Sequence, residues 1–418
     1  MRPWLICMCL LYVSVSFAAD ESTENTLTLE QAILNVLEHS PQLKAADLEA
    51  RAAAARIRTA QQSPAFQTSV EFENFSGSGR YGGSDNLETT LSLSKVLELG
   101  NKADHRGEVA QQKAMLLRND QDARRLDLLA ETTKRFIHVV ADQVRLAIAN
   151  DAYALAKQTR DVVKRRVAAG KSPNAELRRA EITVARKDLD LAHAEHSLAT
   201  SQLKLSILWG DKNTRFQYAK ADLYTLNTAR PFNEIANLLE NNPDLVRFAT
   251  QQRLTQARIQ LAQSRRSSDV ELTGGVRHFN ETDDTALVLS LNIPLGTSSR
   301  AEPYIEEAEL SQLQDPQLYL QRQLALHATL FEVHQEIKHA FGEVTALRES
   351  IIPNAKRALS DYEKGYAAGR YSFLELTEAQ GALLAAQREA VMAAEKYHQY
   401  RIEIDRLTGA GLSTGVTP

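Results

Sequence analysis

Few residues of this chain have the types and spacing that chemistry requires. His193 and His196 form an H-x-x-H pair, which a helix would place on one face, as some zinc sites do. A third ligand and its supporting hydrogen bonds are not apparent, so a solvated helix surface is the better interpretation.

Ser76–Gly82 contains G-x-G-x-x-G, but a strand rather than a helix is predicted to follow it, which argues against nucleotide binding. With no serine elbow or phosphate loop either, the sequence predicts no enzyme, no cofactor and no metal site.

Two glutamates are more informative, because they occupy equivalent positions in two copies of one motif. The copies are Val167–Ala180 (VAAGKSPNAELRRA) and Tyr366–Ala379 (YAAGRYSFLELTEA), which share Ala-Ala-Gly, a basic residue and then Glu-Leu. Glycine is favoured where a helix reverses through a positive φ, so both motifs predict the tip of a helical hairpin. Glu176 and Glu375 come just after the tips. One interpretation of these positions is that a negative charge there favours the start of a helix.

The duplication extends well beyond this motif. Leu37–Gln61 aligns with Leu239–Gln263, which pairs Arg56 with Arg258. A repeat spacing of roughly two hundred residues is far longer than that of solenoids or propellers. The sequence therefore predicts one unit used twice, with the order helix, two strands, long helix, tip and return helix.

Hydrophobic periodicity predicts the elements of the first unit, residues 20–209. Its longest helix carries a heptad-like apolar seam and would be about 100 Å long at 1.5 Å per residue, more than a globular core requires. The predicted elements are a helix from Thr28 to about Gln62, strands at about 65–75 and 86–95, a helix from Lys102 to Ala169, a tip at about 169–173 and a return helix from Asn174 to Leu208.

The second unit, residues 232–408, repeats this plan after an irregular connector at 210–231. Its long helix contains Pro303 and Pro316 and, further on, Pro353, which predict irregularities there. The predicted elements are a helix at Phe232–Arg266, strands at about 269–279 and 285–294, a long helix at Ser299–Ala368, a tip at about 368–372, a last helix at Ser372–Thr408 and a flexible tail at 409–418.

The N-terminus predicts export. Arg2 precedes the apolar run Leu5–Val15 and small residues follow, so residues 1–19 are expected to be a cleaved signal peptide. The only cysteines, Cys7 and Cys9, lie inside it, which leaves the mature chain without a disulfide or a thiolate site. The net charge of -4 gives no reason to expect a nucleic-acid partner.

The predicted strands have the length and alternation of transmembrane β-strands. Four strands cannot close a barrel, and open edges are not tolerated in lipid, so several chains would have to share one barrel. The alternative is two soluble hairpins packed on helices, which would make the protein a periplasmic coiled-coil scaffold.

Several segments together resemble the TolC-type outer membrane factors, and most closely their heavy-metal efflux branch, the CzcC/CusC-like proteins. The resemblance covers almost the whole mature chain, although the lipid-modified cysteine of some relatives is not apparent. The segments are Leu29–Ala46 (LEQAILNVLEHSPQLKAA), Leu91–Lys102 (LSLSKVLELGNK), Leu208–Asp211 (LWGD), Leu289–Gly296 (LSLNIPLG) and Tyr366–Gln380 (YAAGRYSFLELTEAQ).

This resemblance implies a mainly α fold with a small β part, assembled as a homotrimer with a 12-stranded barrel in the outer membrane and a long periplasmic helical barrel. It implies a passive exit duct for heavy-metal cations that works with a periplasmic adaptor and an inner-membrane RND-type pump. A duct of the same fold for drug export or type I protein secretion is the alternative.

The resemblance also implies roles for particular residues. In a trimer, Glu176 and Glu375 could form a ring of carboxylates that makes the tunnel mouth attract cations, and the sequence supports this interpretation and the helix-start interpretation equally. The adaptor would dock at the hairpin tips, and the glycine-rich loop between the first two strands would be extracellular, where its polar residues could line the exit. The expected docking residues are Val167, Gly170, Lys171, Ser172, Tyr366, Gly369, Arg370 and Ser372, and the expected loop residues are Arg80, Tyr81 and Asp85.

Overall fold

The computed structural model describes residues 26–409 of the 418-residue chain. The predicted signal peptide and residues 410–418 of the predicted tail lie outside the described residues. In chain order the first half contains β1 (Thr26–Leu27), α1 (Leu29–His39), α2 (Pro41–Ala60), β2 (Gln67–Glu73), β3 (Glu88–Leu97), α3 (Lys102–Ala168) and α4 (Asn174–Ser206). The second half contains β4 (Tyr218–Ala219), α5 (Phe232–Ala236), α6 (Pro243–Ser264), β5 (Val270–Phe279), β6 (Asp284–Asn292), α7 (Thr297–Ala346), α8 (Ile352–Ala367) and α9 (Phe373–Leu407).

The first helix of each half is broken, where the sequence predicted it to be continuous. Pro41 is the first residue of α2 and Pro243 the first residue of α6, each after an extended residue, Ser40 or Asn242. Proline has no N–H and its ring clashes with the preceding helical turn, so it begins a helix more readily than it continues one. The predictions of single helices at Thr28–Gln62 and Phe232–Arg266 are therefore wrong at this point.

The prolines of the long second-half helix act differently from the prediction. Pro303 and Pro316 lie inside α7 without ending it. The irregularity instead is a π-helical turn at Leu347–Ile351, directly before α8, where Pro353 occupies the first turn. A wide turn tolerates the missing proline N–H because its backbone hydrogen bonds are already rearranged.

The four long strands form one antiparallel sheet in the order β2-β3-β5-β6. The helices that continue them pack side by side in the same order, α2, α3, α6 and α7. Each half contributes one hairpin to the sheet, and β3 pairs with β5 across the halves from Glu88 opposite Phe279 to Leu97 opposite Val270. Strands and helices therefore form one continuous wall, with β2 and β6 as its open edges.

The two faces of the sheet differ sharply. On one face Arg277 donates to Glu88 and to Thr90, at 2.9 Å each, and pairs with Glu73 at 2.8 Å. The other face is apolar, and its large side chains are exposed, with Leu287 at 82% and Leu289 at 87%. The exposed apolar residues of this face are Val70, Phe72, Leu91, Leu93, Leu97, Leu272, Val276, Leu287, Leu289 and Leu291.

The main core lies in the helical part of the molecule, where α3 and α9 pack against α1 and the connector (residues 210–231). The connector is held by side chains of both long helices. The Gln143 side chain bonds the backbone N–H and C=O of Ala219, and the Tyr397 hydroxyl bonds the backbone of Asn227. The pairing of β4 with β1 adds a short parallel ladder. Across residues 26–409, every helix is too polar or too short to cross a bilayer.

Candidate functional site

The two hairpin tips have the same backbone turn. After α3, the N–H of Gly170 donates to Val167 and that of Lys171 donates to Arg166, at 2.9 and 2.8 Å. After α8, Gly369 donates to Tyr366 and Arg370 to Gly365, at 3.0 and 2.8 Å. These are paired Schellman motifs, which require a left-handed residue after the helix, and the two glycines have φ of 67° and 75°. Both tip glycines are therefore in the conformation that the sequence predicted.

Arg166 joins the two tips, and the sequence did not reveal this role. Its guanidinium donates to the backbone oxygens of Tyr366 at 2.6 Å and Ala367 at 3.2 Å, which are carbonyls of the last turn of α8. It also donates to Ser172 at 3.1 Å in its own tip and lies 4.7 Å from the ring centroid of Tyr366. One side chain thus caps the neighbouring helix, holds its own turn and stacks on an aromatic ring.

Tyr366 lies between the tips and not on their surface. Its side chain is only 2% exposed, so the prediction of an exposed docking contact is wrong for this residue. The ring packs with Phe373, and the hydroxyl donates to Glu176 Oε2 at 3.1 Å. Burial, together with the hydrogen bond to Glu176, raises the pKa of the tyrosine, so it stays a hydrogen-bond donor. An aromatic residue with a polar tip suits this partly apolar contact.

Glu375, the counterpart of Glu176, is used within its own tip. Its carboxylate accepts from the backbone N–H and from the hydroxyl of Ser372, at 2.8 Å each, and Ser372 in turn accepts from the Glu375 N–H. This reciprocal capping box begins α9, and the bond from the Ser372 N–H holds the pKa of Glu375 below its ordinary value. Both glutamates thus have partners within one chain, and whether they also form a carboxylate ring remains a prediction.

The remaining predicted tip residues lie around this contact. Gly170, Lys171, Gly369, Arg370 and Ser372 are exposed, whereas Val167 and Ser172 are half-buried. Exposed Tyr371 and Leu374 add apolar surface that the sequence analysis did not single out. The tips therefore present two cations and two large apolar side chains at the end of the molecule opposite the sheet.

The predicted loop residues lie at the opposite end, beyond the sheet. Arg80 pairs with Glu281 at 2.5 Å, so it connects the loop after β2 to the turn between β5 and β6. Tyr81 and Asp85 are exposed. The structure brings Arg80 close to the second half of the chain, which the sequence did not predict.

A charged cluster links α3 to α9 in the helical body. His138 contacts Glu395 at 2.7 Å, and Arg145 pairs with Asp142 at 2.8 Å and with the second oxygen of Glu395. The hydrogen bond to Glu395 raises the pKa of His138. Burial alone would raise the pKa of Glu395, but the bond from His138 and the charge of Arg145 outweigh it, and the pKa is lowered. The cluster holds the two halves of the chain together through ionic contacts.

His193 and His196 line a groove of about 660 Å³ beside this cluster, together with His138, Asp142 and Lys204. Within the part of the chain that the structure describes, no three potential ligands are placed to hold a metal ion. Both histidines are exposed on α4.

Comparison with known proteins identifies the architecture. The curated relatives include the cobalt-zinc-cadmium resistance protein CzcC of Cupriavidus metallidurans, 26% identical over 324 residues, which are 77% of either chain. The nickel-cobalt-cadmium resistance protein NccC of Alcaligenes xylosoxydans xylosoxydans is 24% identical over 70% of this chain and 65% of its own length. Among solved structures, CusC superposes with a TM-score of 0.70 at 18% identity and 92% coverage of both chains.

These likenesses agree with the duplicated hairpins, the shared sheet and the paired tips. The family model for outer membrane efflux proteins matches residues 32–211 and 235–410, once in each half of the chain. The resemblance inferred from the sequence motifs is confirmed, and so is the mainly helical TolC-like fold. The chain belongs to the outer membrane efflux protein family.

Proposed function

We propose that this protein is the passive outer-membrane duct of a tripartite efflux system, and that its cargo is heavy-metal cations. The observation that carries the proposal is the wall of strands and helices, which has one exposed apolar face and two open edges. The family fixes the setting as efflux at the outer membrane. The cargo is proposed from the relatives, whose names describe resistance to cobalt, zinc, cadmium and nickel.

The apolar face of the sheet needs a lipid environment. Leaving a large aliphatic side chain in water costs about 1.5–3 kcal/mol relative to burial, and this face carries ten exposed apolar residues. Strands β3 and β5 have 10 residues each, enough to cross the hydrocarbon layer when tilted. We infer that this face contacts lipid and that the opposite face, with Arg277 and its carboxylates, faces water.

The open edges of β2 and β6 call for further copies of the chain. A sheet edge in lipid leaves backbone groups without partners, which costs several kcal/mol for each group. Three copies of this four-stranded sheet would give a closed barrel of twelve strands, which places β6 of one copy beside β2 of the next. The helices that continue the strands would then form the wall of a periplasmic tunnel.

The tips are the proposed contact with a periplasmic adaptor, which would couple the duct to an inner-membrane RND-type pump. They carry exposed Lys171, Arg370, Tyr371 and Leu374 at the end opposite the sheet. The contacts of Arg166 and Tyr366 hold the two hairpins in one arrangement. Docking would release these contacts and let one hairpin shift against the other, a two-state motion of packed helices.

Substitutions on the two faces of β6 provide a direct test of the membrane position. Leu289 is 87% exposed, so Leu289→Arg costs little if this face is in water, but about 2–4 kcal/mol if it lies at the middle of a bilayer. We expect Leu289→Arg to abolish recovery of the trimer from the outer membrane, and Ser290→Arg, on the opposite face, to preserve it. Equal recovery of both variants would contradict the proposed lipid contact.

The duct and its cargo are tested together in cells and with purified protein. In a strain that lacks this chain, we expect sensitivity to cobalt, zinc or cadmium, reversed by the wild-type chain. The purified protein should have the mass of a trimer and conduct ions in planar bilayers. A monomer that does not conduct would contradict the duct, whereas a conducting trimer without any metal phenotype would contradict only the cargo.

A further inference from the structure

A groove near the sheet end of the helical wall has features of a binding site. It lies between α2, α3 and α6 and has a volume of about 640 Å³. Its floor is apolar, with Val109 and Leu254 buried, and its rim carries the basic residues Arg56, Lys113 and Arg258. A concave apolar surface with a few convergent charges is the usual form of a small-molecule site.

The duplication of the chain produces this charge cluster. Arg56 and Arg258 occupy equivalent positions in the two aligned segments, and the structure places them on either side of α3. Lys113 comes from α3 itself, between them. Two copies of one arginine and a lysine therefore converge on one groove, although the arginines are about two hundred residues apart in the chain.

The three rim cations have no ionic partner among the residues that the structure describes. The other charged groups in the groove are paired, since Arg106 bonds Glu98 at 2.5 Å and Asp120 pairs with Arg247 at 3.1 Å. No carboxylate among residues 26–409 forms a salt bridge with Arg56, Lys113 or Arg258. Arginine forks match the geometry of phosphate oxygens, and a lysine adds a point charge, so the rim suits a phosphate group.

The cluster lies at the aqueous edge of the headgroup layer, if a membrane surrounds the sheet as the proposed function requires. Arg106 bonds the carbonyls of Ala60 and Gln62 and thereby marks the junction of α2, β3 and α3. Arg56 lies four residues before Ala60, and Lys113 lies seven residues after Arg106, which places them about 6 and 10 Å beyond this junction. The headgroup layer extends about 5–8 Å beyond the hydrocarbon on each side of a bilayer, so Arg56 falls within this layer and Lys113 lies just beyond it, on the aqueous side.

We propose that the groove binds the phosphate group of an anionic amphiphile, with Arg56, Lys113 and Arg258 holding the phosphate and the apolar floor holding the adjacent chain. The proposal rests on the membrane position that the proposed function assigns to the sheet. A membrane phospholipid and a free phosphate share the charged contacts, whereas only the lipid uses Val109 and Leu254.

The test measures lipid retention by the purified trimer. The protein is exchanged into detergent, incubated with phosphatidylglycerol or with the uncharged lipid diacylglycerol, and bound lipid is counted by native mass spectrometry. We expect retention of phosphatidylglycerol but not of diacylglycerol, and a loss of affinity of about tenfold or more in the triple variant Arg56→Gln, Lys113→Gln, Arg258→Gln. A matched triple variant, Arg58→Gln, Arg118→Gln, Arg300→Gln, removes exposed cations outside the groove and should retain the lipid.

Two further arms separate the possible outcomes. Inorganic phosphate that displaces phosphatidylglycerol at millimolar concentration identifies the phosphate contact itself as sufficient, and failure to displace it identifies the lipid as the ligand. Equal retention by both triple variants would overturn the proposed groove, even if the protein is a conducting trimer. A protein that neither trimerises nor conducts would overturn the proposed duct instead.

Discussion

The two hairpin tips have the same turn and use it differently. Each ends a helix with a left-handed glycine, and each has a glutamate at the third position of the following helix. In the second tip, Ser372 caps α9 and occupies Glu375 locally. In the first tip the capping position is Pro173, which has no side-chain donor, and Glu176 instead accepts from Tyr366 of the second tip.

The comparison shows how a duplicated motif can become an interface between its copies. Position 166 in the first copy corresponds to position 365 in the second, where glycine stands in place of arginine. A side chain at Gly365 would collide with the ring of Tyr371, the nearest atom being 2.1 Å from the added Cβ. Arg166 reaches out from the first tip to cap α8, whereas Gly365 makes room for a ring within the second tip. The first tip therefore provides the cation that caps the second, and the second provides the hydroxyl that donates to Glu176 of the first.

Removal of the Arg166 side chain should have the largest effect on the contact between the two tips. Arg166→Ala deletes charged hydrogen bonds to Tyr366 and Ala367, and we expect the free energy of local opening at the second tip to fall by about 2–3 kcal/mol. Hydrogen exchange of the Gly369 and Arg370 amides measures this opening. The neighbouring exposed Arg165 is the control, because Arg165→Ala should leave both amides protected. Similar exchange in the two variants would show that Arg166 does not join the tips.

The hydrogen bond between Tyr366 and Glu176 should contribute less than Arg166 to the free energy of local opening. Its contribution should come only from the contact between the two tips. A double-mutant cycle of Tyr366→Phe with Glu176→Gln should give a coupling energy of about 1–2 kcal/mol, measured by the same amide exchange. The cycle of Tyr366→Phe with Glu375→Gln should give a coupling near zero, since these residues share no partner. Equal coupling in both cycles would remove the distinction between the two glutamates.

Substitutions of the two capping residues, Pro173 and Ser372, should have a smaller effect on the stability of the tips. Pro173→Ser supplies the first tip with a side-chain cap for α4, so Glu176 would be drawn toward its own tip and its coupling to Tyr366 should decrease by about 0.5–1 kcal/mol. Ser372→Ala is the converse change and should destabilise the start of α9 by about 1 kcal/mol without altering that coupling. An unchanged coupling in Pro173→Ser would indicate that Glu176 is held by Tyr366 for reasons other than the missing cap.

The smallest expected effect concerns the His138–Glu395 contact, which stabilises the helical body and not the tips, and which depends on pH. The pKa of His138 is raised in the folded protein, so its contribution is complete below the ordinary value of 6.5 and is lost as pH rises through the raised value. The pKa of Glu395 is lowered, so its contribution is complete above the ordinary value of 4.5 and is lost as pH falls through the lowered value. Both contributions are therefore complete between pH 4.5 and 6.5.

His138→Gln should accordingly weaken the contact between α3 and α9 by about 0.5–1 kcal/mol at mildly acidic pH, and by nothing once His138 of the wild type is neutral. Exchange of α9 amides near Glu395 measures the effect, and the amides of the tips should not respond. His196→Gln is the control, since His196 is exposed and forms no ion pair among the described residues. A difference that persists at alkaline pH would assign His138 a packing role.

Much of the fold could be predicted because its signals are local. Period-two alternation in Val270–Phe279 and the glycines at 170 and 369 act within a few residues of themselves. The breaks before Pro41 and Pro243 were also local signals, but the surrounding helical pattern concealed them. The π-turn at Leu347–Ile351 had no signal of its own beyond the nearby Pro353.

The site was less predictable because its contacts are distant in the chain. Arg166 and Tyr366 are separated by 200 residues, and nothing around Arg166 distinguishes it from Arg165. The burial of Tyr366 depends on the partner hairpin, which the sequence of its own tip does not describe. The doubled motif did locate both tips, but only the packing of the hairpins decides which of their side chains remain accessible.

The π-turn has a consequence for how the duplicated hairpins stay matched. The stretch Thr297–Ala367 joins helical segments of 50, 5 and 16 residues and is four residues longer than α3, which has 67. Four residues amount to about 6 Å and slightly more than one helical turn. Strand β6 fixes the beginning of this stretch, and the contacts of Arg166 fix its end. The four additional residues therefore have to be accommodated between these two points. The π-turn, whose hydrogen bonds span five residues rather than four, takes up part of this surplus by widening the helix between the two fixed ends.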